Sequence, residues 1–550
     1  AAFADTYDLN TGSVTVETRD DGITYVTQKD AEINEHPDTT GVTITSNGEK
    51  TSNTITVETA KDQTTNVTLE NVHIEQPDSH WSGNTDPAPI EIKGNGNTNL
   101  ELNGDNIVLS GNSDHAGIEK ADVNGTGTLT IKDDVNDDGK LLAGGYGSGA
   151  GIGGGSYHDG KSYDHTSNIT ITGGDITASG GTHGAGIGGG DGGTGKNIRI
   201  EGDAHVTAFA YDSAAIGSGY ESSGDSDITI TGNATVTAAS EVGSGIGQGL
   251  NASGKATITI SGNASVNAET FNDHAAIGSG PSSATVNIGD NAAVTAVAPG
   301  VAIGTGYGHE GTSTVINITG GTVNAVTTSG NESNPAIGTV KGNLDLTINS
   351  STGKTTVNAY TTSSDPLPLI GTANYYHSST HKDDSISPSE GAEYNEDGSS
   401  HLGEDNAAII NSYCNTTLGT DTYDAPKTLD DYAFHATYEA YGDLYNAKHT
   451  LSDKDKGDLY KVVHNRKYMK EHPEIVDDIN KLENSDLHDW QLKGEVVEPT
   501  LEEDGYADYV CRIDKCGQTK HVVLPKLTPE EMREVGVIFW DAAAQAAPAA

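Results

Sequence analysis

Basic residues are scarce in this chain. Its 550 residues include 30 Lys and Arg against 79 Asp and Glu, which gives a formal net charge of −49 at pH 7. Nucleic acids are bound by basic surfaces that neutralise their phosphates, and anionic membranes attract basic surfaces in the same way. The charge therefore excludes nucleic acid as an expected partner and disfavours docking on an anionic membrane.

Long apolar runs and sulfur are also scarce. No run approaches the roughly 18 apolar residues of a membrane span, so we expect no transmembrane segment. Cys414, Cys511 and Cys516 are too few for a disulfide scaffold. The chain begins AAFADTYDLN, without the basic and apolar regions of a signal peptide, so we expect that any such peptide has already been removed. This composition is typical of an exported bacterial protein, either secreted or held at the cell wall surface.

Glycine is abundant, with 70 residues, and much of it belongs to an internal repeat. A phrase that is usually Ala-Ile-Gly or Gly-Ile-Gly recurs at intervals of 26 to 35 residues. Its isoleucines are Ile152, Ile187, Ile216, Ile246, Ile277, Ile303, Ile337 and Ile370, with Ile118 as a weaker ninth member. Repetition at such intervals indicates stacked units of supersecondary structure.

Each unit carries two further short patterns. One resembles Ile-Thr-Ile at residues 228–230, the other resembles Val-Thr-Ala at residues 236–238, and a turn pair such as Gly232-Asn233 separates them. Alternating β-branched residues predict short strands with one buried face. Three such strands in each unit of ~30 residues predict an all-β fold, a parallel β-helix over residues 1–375. A β-propeller is the structural alternative, but it needs four strands per repeat and rarely tolerates such variation in repeat length.

The repeat pattern ends near residue 375, and a mixed, partly helical C-terminal region is expected after it. Residues 376–427 are polar and acidic, which is typical of a linker or long loop. Residues 428–484 have the pattern of a helical segment. Residues 485–530 are predicted to form a small Cys-containing β module, and residues 531–550 resemble a linker-like tail.

The repeated phrases carry a family likeness. GAGIGGG, ITITGG or ITITGN, and VTA together resemble the repeat region of large surface proteins of Gram-positive bacteria, over roughly residues 40–372. Those proteins are described as carbohydrate-binding-domain or adhesin-like parallel β-helix proteins. The resemblance implies an exported surface protein that binds carbohydrate or host glycoprotein, and it supplies no known catalytic residue.

The C-terminal segment 488–527 resembles small modules of the same kind of protein. Those modules have a tighter Cys-x-x-Cys-Gly motif and further cysteines, whereas here four residues separate Cys511 from Cys516. A disulfide, free thiols, or half of a zinc site with His521 or His488 all remain open for this pair.

The phrase around each repeated Ile predicts an unusual outer surface. If the Ile points inward, its two neighbours point outward. The residue after Ile is Gly in all eight full copies, and the residue before it is Gly or Ala in seven. This strip of nearly bare backbone either serves turn dihedrals and loop packing or forms the floor of an extended groove.

Aromatic and polar residues border this strip on both sides. The candidate glycan-binding residues are Tyr157, Tyr220, Tyr307 and Tyr375 after the Ile, and Asp212, Asp273 and His274 before it. Sugar rings stack their C–H faces on aromatic rings and form hydrogen bonds through their hydroxyls. The two borders therefore predict a glycan-binding face.

One acidic loop resembles the first half of a calcium-binding loop. Asp134, Asn136 and Asp138 precede Gly139 in the spacing D-x-N-x-D-G, which supplies oxygen ligands from alternate residues. The twelfth position is Gly145 instead of Glu, and the flanking helices of an EF-hand are absent from the pattern. A Ca²⁺ site and an acidic solvated loop are both consistent with this sequence.

No recognised catalytic motif occurs in the chain. Residues 141–340 contain four basic residues against sixteen acidic ones, whereas a lyase acting on uronates needs basic groups. The leading hypothesis is a non-catalytic adhesin that binds glycans or host surfaces through an extended face of the β-helix. A β-helix glycoside hydrolase or polysaccharide lyase is the alternative, and a structural stalk is a third interpretation.

Overall fold

The structure is a computed structural model, and it divides into two compact units, Ala1–Thr450 and Leu451–Ala550. It describes residues 5–39, 41–77, 87–111, 114–120, 125–158, 161–162, 165–307, 311–328, 334–348, 351–361, 370–372, 399–400, 409–413, 490–493, 497, 505–511 and 519–524. Within these residues, no helix is both long enough and apolar enough to cross a membrane.

The first unit is a stack of short strands that wind through three sheets, here named A, B and C. One coil runs from Ser226–Ile230 in sheet A to Thr235–Ser240 in sheet C and then to Ile246–Gly247 in sheet B. The next coil begins at Ala256–Ile260, which pairs in parallel with Ser226–Ile230. The predicted parallel β-helix with three strands per coil is confirmed, and the propeller alternative is wrong.

Sheet A has twelve strands and contains the Ile-Thr-Ile pattern. Its strands are Asp5–Asp8, Val42–Thr45, Thr64–Glu70, Asn97–Asn103, Leu129–Lys132, Thr166–Ile171, Gly195–Ile200, Ser226–Ile230, Ala256–Ile260, Ala284–Ile288, Ser313–Ile318 and Asn343–Ile348. Ile228 lies beside Ile258 and Ile230 beside Ile260 in register. These side chains are fully buried, and each contributes about 1.5–3 kcal/mol by leaving water.

Sheet C has thirteen strands and contains the Val-Thr-Ala pattern. Its parallel strands are Lys50–Thr51, His73–Glu75, Asp105–Leu109, Lys140–Gly144, Asp175–Ser179, His205–Ala210, Thr235–Ser240, Ser265–Thr270, Ala293–Ala298, Gly321–Thr327, Thr355–Thr361 and Ile409–Tyr413. Ser399–Ser400 pairs antiparallel with the last of these. Ile409–Tyr413 therefore extends the sheet into the range predicted as a linker.

Sheet B has fourteen strands and carries the repeated Ile. Its parallel strands are Val14–Thr18, Ile55–Thr59, Ile90–Gly94, Ile118–Glu119, Ile152–Gly153, Ile187–Gly188, Ile216–Gly217, Ile246–Gly247, Ile277–Ser279, Ile303–Thr305, Ile337–Thr339 and Ile370–Thr372. Thr24–Gln28 and Ile33–Asp38 add two antiparallel strands at the N-terminal end. From Ile118 onward these strands shrink to two or three residues, so loops supply most of this side of the coil.

Turns between sheets A and C use the predicted Gly-Asn pairs. Gly232 has φ 75, a left-handed conformation that favours glycine. The Asn233 amide donates to Asp203 at 2.9 Å, and the Asn263 amide donates to Asn233 at 3.0 Å. The turn residues of successive coils thus form a polar ladder along one corner.

The smaller elements among the described residues are two 3-10 helices and two short antiparallel sheets. The helices are Leu9–Thr11 and Lys29–Ala31, and a hairpin pairs Tyr157–His158 with Lys161–Ser162. In the second unit, Trp490–Leu492, Gly505–Cys511 and Thr519–Leu524 form a three-stranded antiparallel sheet.

Several sequence predictions for the C-terminal region lie outside the described residues. These are the helical segment 428–484, the tail 531–550, Cys414 and Cys516. The antiparallel sheet of the second unit lies within the range 485–530 that was predicted as a β module. The domain boundaries and the state of the cysteines stay predictions.

Candidate functional site

The strip that borders the Ile ladder of sheet B is buried. Ala215 and Gly217, which flank Ile216, are both covered, and the same holds for the flanking residues that the structure describes from Ile152 to Ile370. The strip is therefore not the exposed floor of a groove.

Loops of successive coils cover this strip. The same backbone hydrogen bond recurs in four places. Its donor is the N–H of the residue four positions after a repeated Ile. Its acceptor is a carbonyl of the preceding coil, on the residue four positions before that coil's Ile. These bonds run from Ser156 to Asp114 (2.8 Å), from Asp191 to Ser148 (2.9 Å), from Tyr220 to His183 (3.2 Å) and from Leu250 to Asp212 (2.7 Å). We call the loops that flank the sheet B strands between residues 145 and 307 the roof.

Glycine permits the close packing of the roof. A Cβ added to Gly219 would lie 1.7 Å from the carbonyl oxygen of Gly190, and one added to Gly190 would lie 1.6 Å from that of Gly155. No side chain fits at such separations, so these positions require glycine. In the strip itself, Gly217 has φ 140, and a Cβ added to it would lie 2.0 Å from the carbonyl oxygen of Gly247. This supports the interpretation that the strip glycines serve backbone dihedrals and close packing, and the surface open to a ligand is the outer face of the roof.

The roof brings predicted border residues of different coils together. The Tyr220 ring lies 4.7 Å from the His183 ring, and His183 Nδ1 lies 3.2 Å from Asp212 Oδ2. The pKa of Tyr220 is raised, first by its hydrogen bond to Glu221, with burial and the charge of Asp212 adding to the effect. The hydroxyl of Tyr220 is therefore neutral and able to donate a hydrogen bond near neutral pH.

A second pair combines His274 with Tyr307. The Tyr307 hydroxyl and His274 Nε2 are 2.8 Å apart, and the two rings meet edge to face at 5.2 Å. His274 is completely buried, and desolvation lowers its pKa to about 4, so the imidazole is neutral at pH 7. Burial, with the charge of Asp273 adding to it, raises the pKa of Tyr307. His274 thus contacts the hydroxyl and the ring of Tyr307 and is not itself open to a ligand.

A third pair was not predicted from the sequence. Glu119, which is 1% exposed, accepts hydrogen bonds from the Ala116 N–H at 3.2 Å and pairs with His115 Nδ1 at 2.8 Å. In the following coil, the equivalent N–H of Ala150 bonds to the backbone carbonyl of Gly154 at 2.9 Å instead. The carboxylate of Glu119 therefore takes the place of a backbone acceptor. The only sequence signal was that Glu replaces Gly after Ile118.

The charge state of His115 follows from this contact. Burial opposes the protonated form, but the hydrogen bond to Glu119 and the charges of Glu119, Glu91 and Asp114 outweigh it, so the pKa of His115 is raised. The contact with Glu119 therefore favours the protonated form of the buried His115 imidazole.

The predicted calcium ligands contact three separate partners. Asp134 Oδ2 lies 2.6 Å from Lys132 Nζ, and the Asn136 amide donates to Asn103 at 3.0 Å. Asp138 Oδ1 accepts from the Gly104 N–H at 3.4 Å. Across the described part of the chain, no three His, Cys, Asp or Glu residues are grouped to hold a metal ion. Calcium binding by this loop stays a prediction that would require these contacts to change.

Two of the remaining predicted residues lie within the described part of the chain. The Tyr157 backbone belongs to the short hairpin that leaves the roof, and Asp273 is exposed beside His274. Tyr375 lies outside the described residues. The structure therefore unites Asp212 and Tyr220 with His183, and it unites Asp273, His274 and Tyr307 three coils further along.

Comparison with known proteins supports the fold. A family model described as a beta helix repeat matches residues 169–191, which span one coil from sheet A to sheet B. No curated protein and no solved structure matches the chain. Together with the stacked sheets, the match identifies a β-helix repeat protein.

Proposed function

We propose that this β-helix repeat protein is a non-catalytic adhesin that binds glycans on the outer face of the roof. The cluster of His183, Asp212 and Tyr220 carries the proposal. It places the partly exposed ring of Tyr220 beside the imidazole of His183, which is oriented by the largely buried carboxylate of Asp212 (8% exposed). An aromatic ring next to hydrogen-bonding groups suits the faces and hydroxyls of sugar rings.

The cluster is held in position before a ligand arrives. The Tyr220 N–H is fixed by the His183 carbonyl at 3.2 Å, and the Asp212 carbonyl accepts from Leu250 at 2.7 Å. A prearranged site loses little conformational freedom on binding, which favours affinity. The net charge of −49 favours neutral glycans over polyanions. The proposed setting is the surface of a Gram-positive bacterium, in secreted or wall-attached form.

A glycan array followed by calorimetry tests this function. Tyr220→Ala should weaken binding of any glycan on the array by about 1–3 kcal/mol, with little change in melting temperature, because its ring lies on the roof. Tyr25→Ala, at the N-terminal strand Thr24–Gln28, is the matched control and should leave binding unchanged. Tyr307→Ala is a weaker test, since it also removes the partner of buried His274. Absence of binding to every glycan would contradict the proposal.

A second candidate function is glycoside hydrolysis or lyase activity. Glu91 and Glu119 occupy paired positions on neighbouring strands beside His115, but Glu119 is 1% exposed, so a substrate would reach it only if the covering loops moved. Paired carboxylates and a group that exchanges protons are what cleavage of a glycosidic bond needs. Release of reducing ends or unsaturated uronides that Glu119→Gln abolishes, and that the exposed-site control Glu58→Gln retains, would establish this activity.

A further inference from the structure

Aromatic residues occupy one column of the roof in alternate coils. Sheet C aligns Gly144 with Ser179 and Phe209, and it aligns Ala210 with Ser240 and Thr270. Tyr146, Gly181 and Tyr211 lie two residues after Gly144, Ser179 and Phe209, respectively. Tyr211, Glu241 and Phe271 lie one residue after Ala210, Ser240 and Thr270. The column therefore consists of Tyr146, Gly181, Tyr211, Glu241 and Phe271.

Backbone contacts continue the alignment into this column. The Glu241 N–H donates to Ala210 at 3.1 Å, and the Phe271 N–H donates to Ser240 at 3.1 Å. A Cβ on Gly181 would lie 2.5 Å from the carbonyl carbon of Tyr146. The five residues therefore belong to successive coils.

The three aromatic side chains are only partly buried. This differs from the neighbouring position in sheet C, where Phe209 is 2% exposed. Neighbouring coils are separated by one strand spacing, so aromatic residues two coils apart are about 9.6 Å apart along the axis. We call Tyr146, Tyr211 and Phe271 the aromatic ridge.

We propose that the aromatic ridge selects neutral, extended β-1,4-linked glycans. In such chains each sugar ring is turned over relative to the one before, so every second ring presents the same face. Two rings of an extended β-1,4-linked chain span about the distance between ridge residues. Chains with α-1,4 or β-1,3 links coil, so equivalent faces do not remain aligned along a straight row.

The residues between the aromatic positions suit the intervening rings. Gly181 has no side chain to project between Tyr146 and Tyr211. Glu241 places a carboxylate in the column that accepts hydrogen bonds from sugar hydroxyls and disfavours an anionic polymer. Tyr211 is followed directly by Asp212, which pairs with His183, so the ridge borders the cluster that carries the proposed function. This inference rests on that function and adds the linkage and length of the ligand.

Calorimetry with hexaoses tests the choice of linkage. Cellohexaose and β-1,4-mannohexaose are expected to bind, whereas maltohexaose and laminarihexaose are not. Affinity should rise from trisaccharide to hexaose, because three ridge residues span four coil spacings. Tyr211→Ala, at the centre of the ridge, should weaken hexaose binding by about tenfold or more, and Tyr25→Ala should not.

Moving one ring tests the spacing itself. The double variant Phe271→Ala with Glu241→Tyr keeps three aromatic residues but places two of them in adjacent coils. Its affinity should fall to that of Phe271→Ala alone, with an unchanged melting temperature as the folding control. Wild-type affinity in the double variant would overturn the proposal.

The outcomes separate this proposal from the proposed function. Binding of α-1,4 or β-1,3 chains that is insensitive to the ridge substitutions would overturn the linkage proposal and leave glycan binding standing. Absence of binding to any glycan would overturn both.

Discussion

Two buried imidazoles have pKa shifts of opposite sign. His115 faces the carboxylate of Glu119, and its pKa is raised. His274 faces a tyrosine hydroxyl in a fully buried site, and its pKa is lowered to about 4. The partner atom decides the sign because a carboxylate stabilises the imidazolium, whereas burial beside a neutral group penalises it.

The lowered pKa of His274 predicts an acid-sensitive contribution to stability. The unfolded chain binds a proton near the ordinary value of 6.5, whereas the folded chain resists it down to about 4. The stability from this group is present above pH 6.5 and is lost as the pH falls towards 4. The free-energy advantage of wild type over His274→Asn in urea unfolding should shrink over this interval.

The exposed His205 supplies the control for this experiment. Substitution His205→Asn replaces the same side chain at the surface of sheet C, where the ring is open to water. The difference in unfolding free energy between wild type and His205→Asn should not show the decrease between pH 6.5 and 4 that is expected for His274→Asn. If the difference in unfolding free energy between wild type and His274→Asn did not change with pH, the role assigned to burial would be contradicted.

At the scale of elements, the roof follows from the shortness of the sheet B strands. A strand such as Ile216–Gly217 has two residues, so most of that side of the coil is loop. In four places a loop satisfies one of its backbone N–H groups by bonding to the loop of the preceding coil, as Tyr220 does with His183. Glycine is needed where two such backbones touch.

Gly219→Ala should therefore destabilise the solenoid. The added methyl group would meet the Gly190 carbonyl at 1.7 Å, and overpacking of this kind costs about 1–3 kcal/mol or more. Gly173→Ala is the control, because the nearest atom to its added Cβ lies at 3.2 Å. Urea unfolding midpoints measure both, and equal midpoints would contradict the packing account.

The acidic loop around Asp134 yields a prediction about calcium. If the loop binds Ca²⁺, the double variant Asp134→Ala with Asp138→Ala should lose one site in calorimetry. Lys132→Ala should strengthen binding, because it removes the ammonium that lies 2.6 Å from Asp134. Mg²⁺ at matched ionic strength controls for general cation attraction. An unchanged stoichiometry in the double variant would contradict the site.

At the scale of the whole molecule, the net charge decides which polymers can approach. With a net charge of −49, the protein repels polyanions, and the repulsion is strongest when little salt screens it. A polyuronate should therefore show no binding at low salt, whereas binding of a neutral glycan should depend little on salt. Affinity electrophoresis in gels with either polymer measures the difference. Tight polyuronate binding at low salt would favour the lyase alternative.

The winding of the chain was readable from the sequence because it depends on local patterns. Alternating Ile-Thr-Ile and Val-Thr-Ala segments, with Gly-Asn turns between them, specify short strands whose apolar side chains face one way. Because these segments recur at intervals of about 30 residues, successive coils bury their apolar side chains by stacking on one another. The inward position of Ile228 and the turn at Gly232 followed directly from this periodicity.

Only the tertiary structure shows which residues meet on the surface over sheet B. The sequence placed tyrosines and histidines beside several of the repeated isoleucines, but it did not show that Tyr220 meets His183 of the preceding coil or that Glu119 replaces a backbone acceptor. These contacts join residues from different coils, and they depend on how loops of unequal length fold over a two-residue strand. A period-2 pattern fixes which way a strand residue points, but loop residues have no such period. Their partners are set by the unpaired backbone groups of the neighbouring coil.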